Sequence, residues 1–137
     1  LMLYESLKDD INQFISYSFE DISISYMEYL GRKGKLNGIY YPIQNLIIEK
    51  SELGRSIEID GIAKDGNSLI VIECKYTNDK RTIKDFEKMK ENTSIKMFAS
   101  IKKIEYYILS KSGFDESLLN IKDDNLHLIS LDDMFSI

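Results

Sequence analysis

Glu58 and Asp60 stand two residues apart, and thirteen residues after Asp60 comes Glu73, with Lys75 two further on. In extended backbone a spacing of two puts side chains on one face, so Glu58 pairs with Asp60 and Glu73 with Lys75 if both segments are strands. Aligned in register, their faces bring carboxylates and an ammonium together. Hard divalent cations such as Mg²⁺ or Mn²⁺ take carboxylate oxygens in a near-octahedral shell completed by water and phosphate oxygens. A lysine beside them can hold a water or offset developing charge. The chemistry open to such a set is metal-dependent phosphodiester hydrolysis, in which the cation polarises the phosphorus centre and activates a water while a second cation stabilises the oxyanion. Asp60 is preferred to Glu58 as the ligand. The plainer alternative for Asp60, Glu73 and Lys75 is a cross-strand ion pair on a solvated face, worth about 0.2–1 kcal/mol. Against it, Glu73 and Lys75 end an apolar run, Leu69 to Ile72, which puts their backbone at the border of the core, where unpaired charge is costly.

The elements that must position these residues are legible on either side of them. Ser56 to Ala63 alternates in type, which predicts a strand with Ile57, Ile59 and Gly61 on one face and Glu58 and Asp60 on the other. Asp65-Gly66-Asn67 reverses the chain, and Leu69 to Tyr76 is an apolar strand that turns polar at its C-terminal end, so the two read as a hairpin. Upstream, Ile11, Ile15, Phe19, Ile22, Tyr26 and Tyr29/Leu30 recur at helical spacing within Glu5 to Leu30, with Gly31 and Gly34 as stop signals. Gly38 to Glu49 suits a strand that Pro42 restricts to an edge or a strand start. Downstream, Thr82 caps a helix to about Asn92 whose inner face is Ile83, Phe86 and Met89/Lys90. Strands follow at Ile104 to Leu109 and Leu126 to Leu131, with a short helix near Asp115 to Asn120 between them. The predicted order is helix, strand, strand, strand, helix, strand, helix, strand.

At 137 residues, 43% hydrophobic and 30% charged, the chain reads as one domain spanning 1–137 with a core of its own. A single cysteine (Cys74) and a single histidine (His127) exclude an intrachain disulfide and a Cys/His structural zinc site, which points to a reducing, cytoplasmic setting. No apolar run approaches the roughly 20 residues of a membrane span, so no membrane partner is expected. The first residue is Leu1 rather than an initiator methionine, so the chain reads as a piece of a longer protein. Its net charge of −5 is uneven: Lys75 to Lys103 holds nine basic and four acidic residues, +5, which leaves −10 for the remainder. An anionic ligand would meet that stretch.

Taken together, Ile57-Glu58-Ile59-Asp60 followed by Glu73-Cys74-Lys75 resembles the Asp…Glu-x-Lys signature of the PD-(D/E)XK nucleases, the restriction-endonuclease-like superfamily. More narrowly, Phe19-Glu20, Glu58-Ile59-Asp60, Glu73-Cys74-Lys75 and Tyr107 to Phe114 resemble recurring features of the nuclease-like C-terminal domain of archaeal-type P-loop ATPases. The resemblance runs from about Phe19 to Phe135 and departs from the superfamily's name at Ile59, where a proline would stand. It implies an α/β fold with a central mixed sheet flanked by helices. It further implies Mg²⁺ or Mn²⁺ held by Asp60 and Glu73, with Glu20 and the backbone carbonyl of Cys74 as further ligands and Lys75 as the water-orienting cation. The implied partners are DNA and a P-loop ATPase domain in the same or another chain; a homodimer is compatible with the sequence. The rival expectation is a silent nuclease fold that binds DNA or protein and regulates an ATPase.

Lys80, Arg81, Lys84 and Lys88 are the candidates for phosphate contact, with Lys84 and Lys88 one helical turn apart. Interleaved Asp85, Glu87 and Glu91 favour a salt-bridged surface helix for the same residues. The nine tyrosines do not cluster as a stacking platform, Cys74 alternates into the core away from Glu73 and Lys75, and His127 in an apolar strand reads as structural. The chain has no Gly-x-x-x-x-Gly-Lys loop and is not itself an NTPase.

Overall fold

Four consecutive apolar residues, Leu69 to Ile72, are buried on both sides, as a central strand requires, and the sheet is built outward from them. The computed structural model describes residues 2–135. Helix α1 (Met2–Arg32) is followed by strands β1 (Gln44–Ile48), β2 (Ile57–Asp65) and β3 (Ser68–Lys75) and helix α2 (Ile83–Asn92). A 3-10 turn at Lys96–Phe98 leads to β4 (Lys103–Ser110), the short helix α3 (Glu116–Leu119), β5 (Leu126–Ser130) and a terminal turn of helix α4 (Leu131–Phe135). The five strands lie side by side in chain order, β1 to β3 antiparallel and β3 to β5 parallel. This is the mixed, helix-flanked α/β sheet expected from the sequence. No helix among the described residues is long and apolar enough to cross a membrane.

Each face of the sheet has its own core. On one, Phe19 and Met27 of α1 and Met134 of α4 meet Ile70, Ile72, Tyr107 and Leu109. On the other, Phe86 and Met89 of α2 and Leu118 of α3 meet Ile57, Ile59, Leu69, Val71, Tyr106 and Ile108. Burying one such side chain is worth about 1.5–3 kcal/mol, so α1 and α2 are held mainly by these contacts. Helix α2 also starts well: Thr82 accepts from the Lys84 N–H, and Asp85 returns a bond to the Thr82 N–H, a complete capping box.

Several expectations need correction. The buried stripe of α1 is Phe19, Ser23 and Met27, whereas Ile11 and Ile22 are exposed. Apolar residues lie on more than one side of this helix, so spacing alone does not choose the face that packs. The helix runs through Gly31 to Arg32 and is closed off by Gly34, whose φ of 70° only glycine adopts readily and which lets the Lys35 N–H reach the Leu30 carbonyl. Strand β1 covers only Gln44–Ile48, and Pro42 lies before it, joined to Tyr41 by a cis bond. Ile83, expected on the inner face of α2, is at its exposed margin.

The hairpin is as predicted, with its register set by a two-residue Gly66-Asn67 turn between paired Asp65 and Ser68. Gly66, at φ 61°, occupies the first central position of the turn class whose twist matches that of the strands. One feature of β2 breaks the simple alternation. Leu46 pairs with Ile59 but Gln44 with Ile62, so two residues, Asp60 and Gly61, oppose the single Asn45 in a bulge. Gly61 therefore faces α1, against Ile24, Ile43 and Ile72, rather than sharing the α2 face with Ile57 and Ile59.

Candidate functional site

The bulge decides where Asp60 goes. Strand β2 pairs with β3 only from Gly61 to Asp65, while its other edge stays with β1 down to Ile57. The two strands of the hairpin therefore part at Asp60, opposite Glu73 if the register is continued. At the parting, the Cys74 N–H, which has lost its backbone partner on β2, donates to Asp60 Oδ2 at 2.8 Å. A buried amide left without a partner would be costly, so this bond holds both the end of β3 and the aspartate. In extended backbone the N–H and C=O of one residue point the same way, so the Cys74 carbonyl also faces the gap.

Asp60 and Glu73 lie within hydrogen-bonding reach of each other, and Lys75 Nζ is 3.1 Å from Glu73 Oε1. Burial, and then the Asp60 charge, pushes Glu73 up to about 7, against which the Lys75 ammonium pulls down. Burial likewise raises Asp60, opposed by the Cys74 N–H and by Lys75. For Lys75, burial works against the ammonium, but Glu73 and Asp60 outweigh it and raise its pKa, so it stays charged. Two half-buried carboxylates thus share one firm cation, and burial resists the ionisation of both.

This cluster opens into a cleft of about 280 Å³ between β2, β3 and α2. Arg55, Ser56 and Glu58 line its β2 side, and Lys88 of α2 its other side. Behind Glu73 a hollow of about 30 Å³, enough for one water, runs to Asp85, Lys88 and Asn92, and the buried Asn92 Oδ1 meets no hydrogen-bond donor among the described residues. Asp60 also borders a groove of about 370 Å³ on the α1 side, lined by Glu20 and Asp21. Glu20 is pushed up by burial and then by Asp60, Glu58 and Asp21. It thus lies across that groove from Asp60. A more apolar hollow under the last turns of α1, formed with Tyr40 and Tyr41, holds none of these groups.

Among the described residues, no three His, Cys, Asp or Glu side chains converge closely enough to cage a metal ion. Mg²⁺ does not ask for a cage: it commonly takes one or two carboxylates and fills its shell with water and phosphate oxygens. Asp60, Glu73 and the Cys74 carbonyl are hard oxygen donors on one gap, and a divalent cation would take the place of the proton that burial favours on Glu73, so the residues fit. The Cys74 thiol does not take part, since it packs towards the α1 core and burial, then the Asp60 charge, drives its pKa up.

The four basic candidates are not equivalent in the fold. Lys88 lines the cleft. Lys80 and Lys84 are exposed outside it. Arg81 forks onto Asp85 with two bonds of 2.9 Å and also reaches Thr77 Oγ1, so its guanidinium is engaged. Asp85 correspondingly falls below its ordinary value, because Arg81 and the Thr82 N–H outweigh the cost of its burial. Sequence reasoning missed Arg55 and Ser56, which have no motif, and Asn92. Helical spacing from Phe86 and Met89 could have put Lys88 and Asn92 beside β3.

Residues 1–95 match the model of DUF234, archaea bacterial proteins of unknown function, and the chain belongs to that family. Among solved structures it is similar to the protein of unknown function AF1548, with 14% identity and a TM-score of 0.46 over 77% of this chain. The chain covers 55% of that structure's length. No curated protein matches it.

Proposed function

We propose that this member of DUF234 is a metal-dependent nuclease domain that hydrolyses phosphodiester bonds in DNA, as its restriction-endonuclease-like sequence features imply. The observation that carries the reading is the contact between Asp60 and Glu73 where β2 leaves β3, with Lys75 on Glu73 at 3.1 Å. Asp60, Glu73 and the Cys74 carbonyl would hold Mg²⁺ or Mn²⁺, which would supply Lewis-acid polarisation of a phosphoryl oxygen and a water of lowered pKa. The chain's own part is positional. Asp60 is fixed by the Cys74 N–H, and Glu73 is fixed by Lys75, so neither carboxylate has to reorganise when a phosphate arrives. Lys75 Nζ orients the attacking water and offsets charge gathering on the phosphoryl oxygens. Glu20 stands as an accessory ligand from the α1 side, and Lys88, with Lys84 and Lys80 beyond it and Arg81 at the start of α2, extends the cationic side towards DNA.

Calorimetric titration with Mn²⁺, followed by cleavage assays on single- and double-stranded DNA, tests this directly. Asp60→Ala should abolish both metal heat and cleavage. Lys75→Ala should keep metal binding and lose cleavage by at least about 100-fold. Full cleavage without Lys75 would sink the mechanism. The Glu73–Lys75 ion pair also favours a second reading, in which the charges are already satisfied and the domain regulates a P-loop ATPase. No metal heat at millimolar Mn²⁺ and no cleavage would select it.

A further inference from the structure

The cleft over Asp60 and Glu73 has a basic rim whose two members come from different elements. Arg55, in the turn before β2, and Lys88, on α2, both line it. Among the described residues Lys88 has no acidic partner, although it borders the hollow that contains Glu73 and Asp85. Arg55 is engaged, but loosely: one guanidinium nitrogen donates to Glu91 Oε1 at 2.9 Å and the other donates to the Ser56 carbonyl at 3.2 Å. Glu91 is more than half exposed, so this ion pair is the kind that contributes little to the fold and yields to a better anion. The rest of the lining is Ser56, Glu58, Asp60, Glu73, Cys74 and Lys75, and none of the residues lining the cleft is aromatic.

Resting on the hydrolytic reading above, we propose that Arg55 and Lys88 seat one backbone phosphate of duplex DNA over Asp60 and Glu73, and that the cleft reads the sugar–phosphate backbone without reading bases. Arg55 exchanges Glu91 for the phosphate, so Glu91 acts as a resident competitor for the seat. A cleft that recognised unpaired bases would present rings for stacking, and one that read base edges would present amides or a free arginine fork projecting beyond the phosphate line. This one presents three cations (Arg55, Lys75 and Lys88), one hydroxyl and the carboxylates that would do the chemistry. Such contacts position a strand but carry no sequence information. The acidic groove on the other side of Asp60, with Glu20 and Asp21, repels phosphate and keeps the strand on the α2 side.

The test is fluorescence anisotropy on two labelled 20-base-pair duplexes, one A·T-rich and one G·C-rich, over a range of salt in millimolar Ca²⁺, which takes oxygen ligands as Mg²⁺ does but with looser geometry. Arg55→Ala and Lys88→Ala should each flatten the plot of log K against log salt by about 0.9, which corresponds to about tenfold weaker binding at 50 mM salt, and equally for both duplexes. Glu91→Gln should tighten binding several-fold. Lys122→Ala, an exposed charge in the loop before β5, should leave the slope as it is. Circular dichroism melts establish that each variant is folded. Unchanged slopes in both the Arg55 and Lys88 variants, with a wild type that binds and cleaves, would overturn the seat and leave the hydrolytic reading standing. Slope losses that differ between the duplexes would overturn the backbone-only part. A wild type that neither binds nor cleaves in any divalent metal would overturn both.

Discussion

Replacing Glu73 by Gln removes a group whose ionisation the fold resists. Burial, and then the Asp60 charge, holds Glu73 at about 7 against 4.5 for a free glutamate. A gap of that size corresponds to about 3 kcal/mol. Between those two pH values the folded chain keeps a proton that the unfolded chain has released. Stability from this group is therefore greatest below pH 4.5, falls as the pH rises, and levels off above 7. Asp60, also pushed up by burial, contributes a fall of the same sign. Gln is neutral at every pH and nearly the same shape, so Glu73→Gln should lose the Glu73 part of this slope. In urea titrations with a chelator present, wild type is expected to lose about 2–3 kcal/mol more than the variant between pH 5 and pH 8. Millimolar Mn²⁺ at pH 8 should recover stability in wild type but not in the variant, because a ligand stabilises only the state that binds it. Parallel pH profiles in chelator would refute the reasoning, since Glu73 would then ionise at no cost.

Three further substitutions probe the frame around the site. A Cβ at Gly61 would lie 2.6 Å from Ile24 Cδ1 and 3.2 Å from Ile72 Cβ, which the backbone of β3 holds in place; Gly61→Ala should cost about 1–3 kcal/mol, read as a melting temperature lower by several degrees. Tyr106→Phe removes the 2.8 Å hydroxyl contact with Thr93 between β4 and the end of α2 and should cost about 1 kcal/mol in urea, with no cost if that contact is idle. Asp85→Ala removes both the Arg81 fork and one half of the capping box, about 1–3 kcal/mol near neutral pH. Because the folded state lowers the pKa of Asp85, its contribution is present above about pH 4 and is lost on further acidification; a deficit that persists undiminished at pH 2 would count against it.

The hairpin and the capped helix after Thr82 were legible in the sequence because each rests on a local signal: alternation in β2, an unbroken apolar run in β3, a glycine turn, and a threonine with an acid three residues on. Asp60, Glu73 and Lys75 could be brought together from their spacing for the same reason. The parting of β2 from β3 was not legible, since strict alternation puts Gly61 with Ile59, and only the isolated glycine inside a strand hinted at a bulge. The packing face of α1 was equally hidden. Ile11 and Ile22 are as apolar as Met27, and which of them is buried depends on where the sheet lies rather than on the helix. Arg55 lines the cleft through the path of a loop, which no periodicity records.

The change from antiparallel to parallel pairing at β3 has a kinetic consequence. Strands β1 to β3 follow one another closely, and the β2–β3 pairing closes around two residues, so these contacts cost little loop entropy to form. Strand β4 reaches β3 only after α2 and the 3-10 turn have been laid down, and β5 only after α3. Non-local pairings of that kind are the slow part of folding. The acidic pair of Asp60 and Glu73 thus lies on the stretch favoured to assemble first, and the wall bearing Lys88 arrives with the crossover. On the ribosome, a chain that has emerged only as far as the end of β3 can already pair the strands that carry these two acids, while the helix that confines them is still being made.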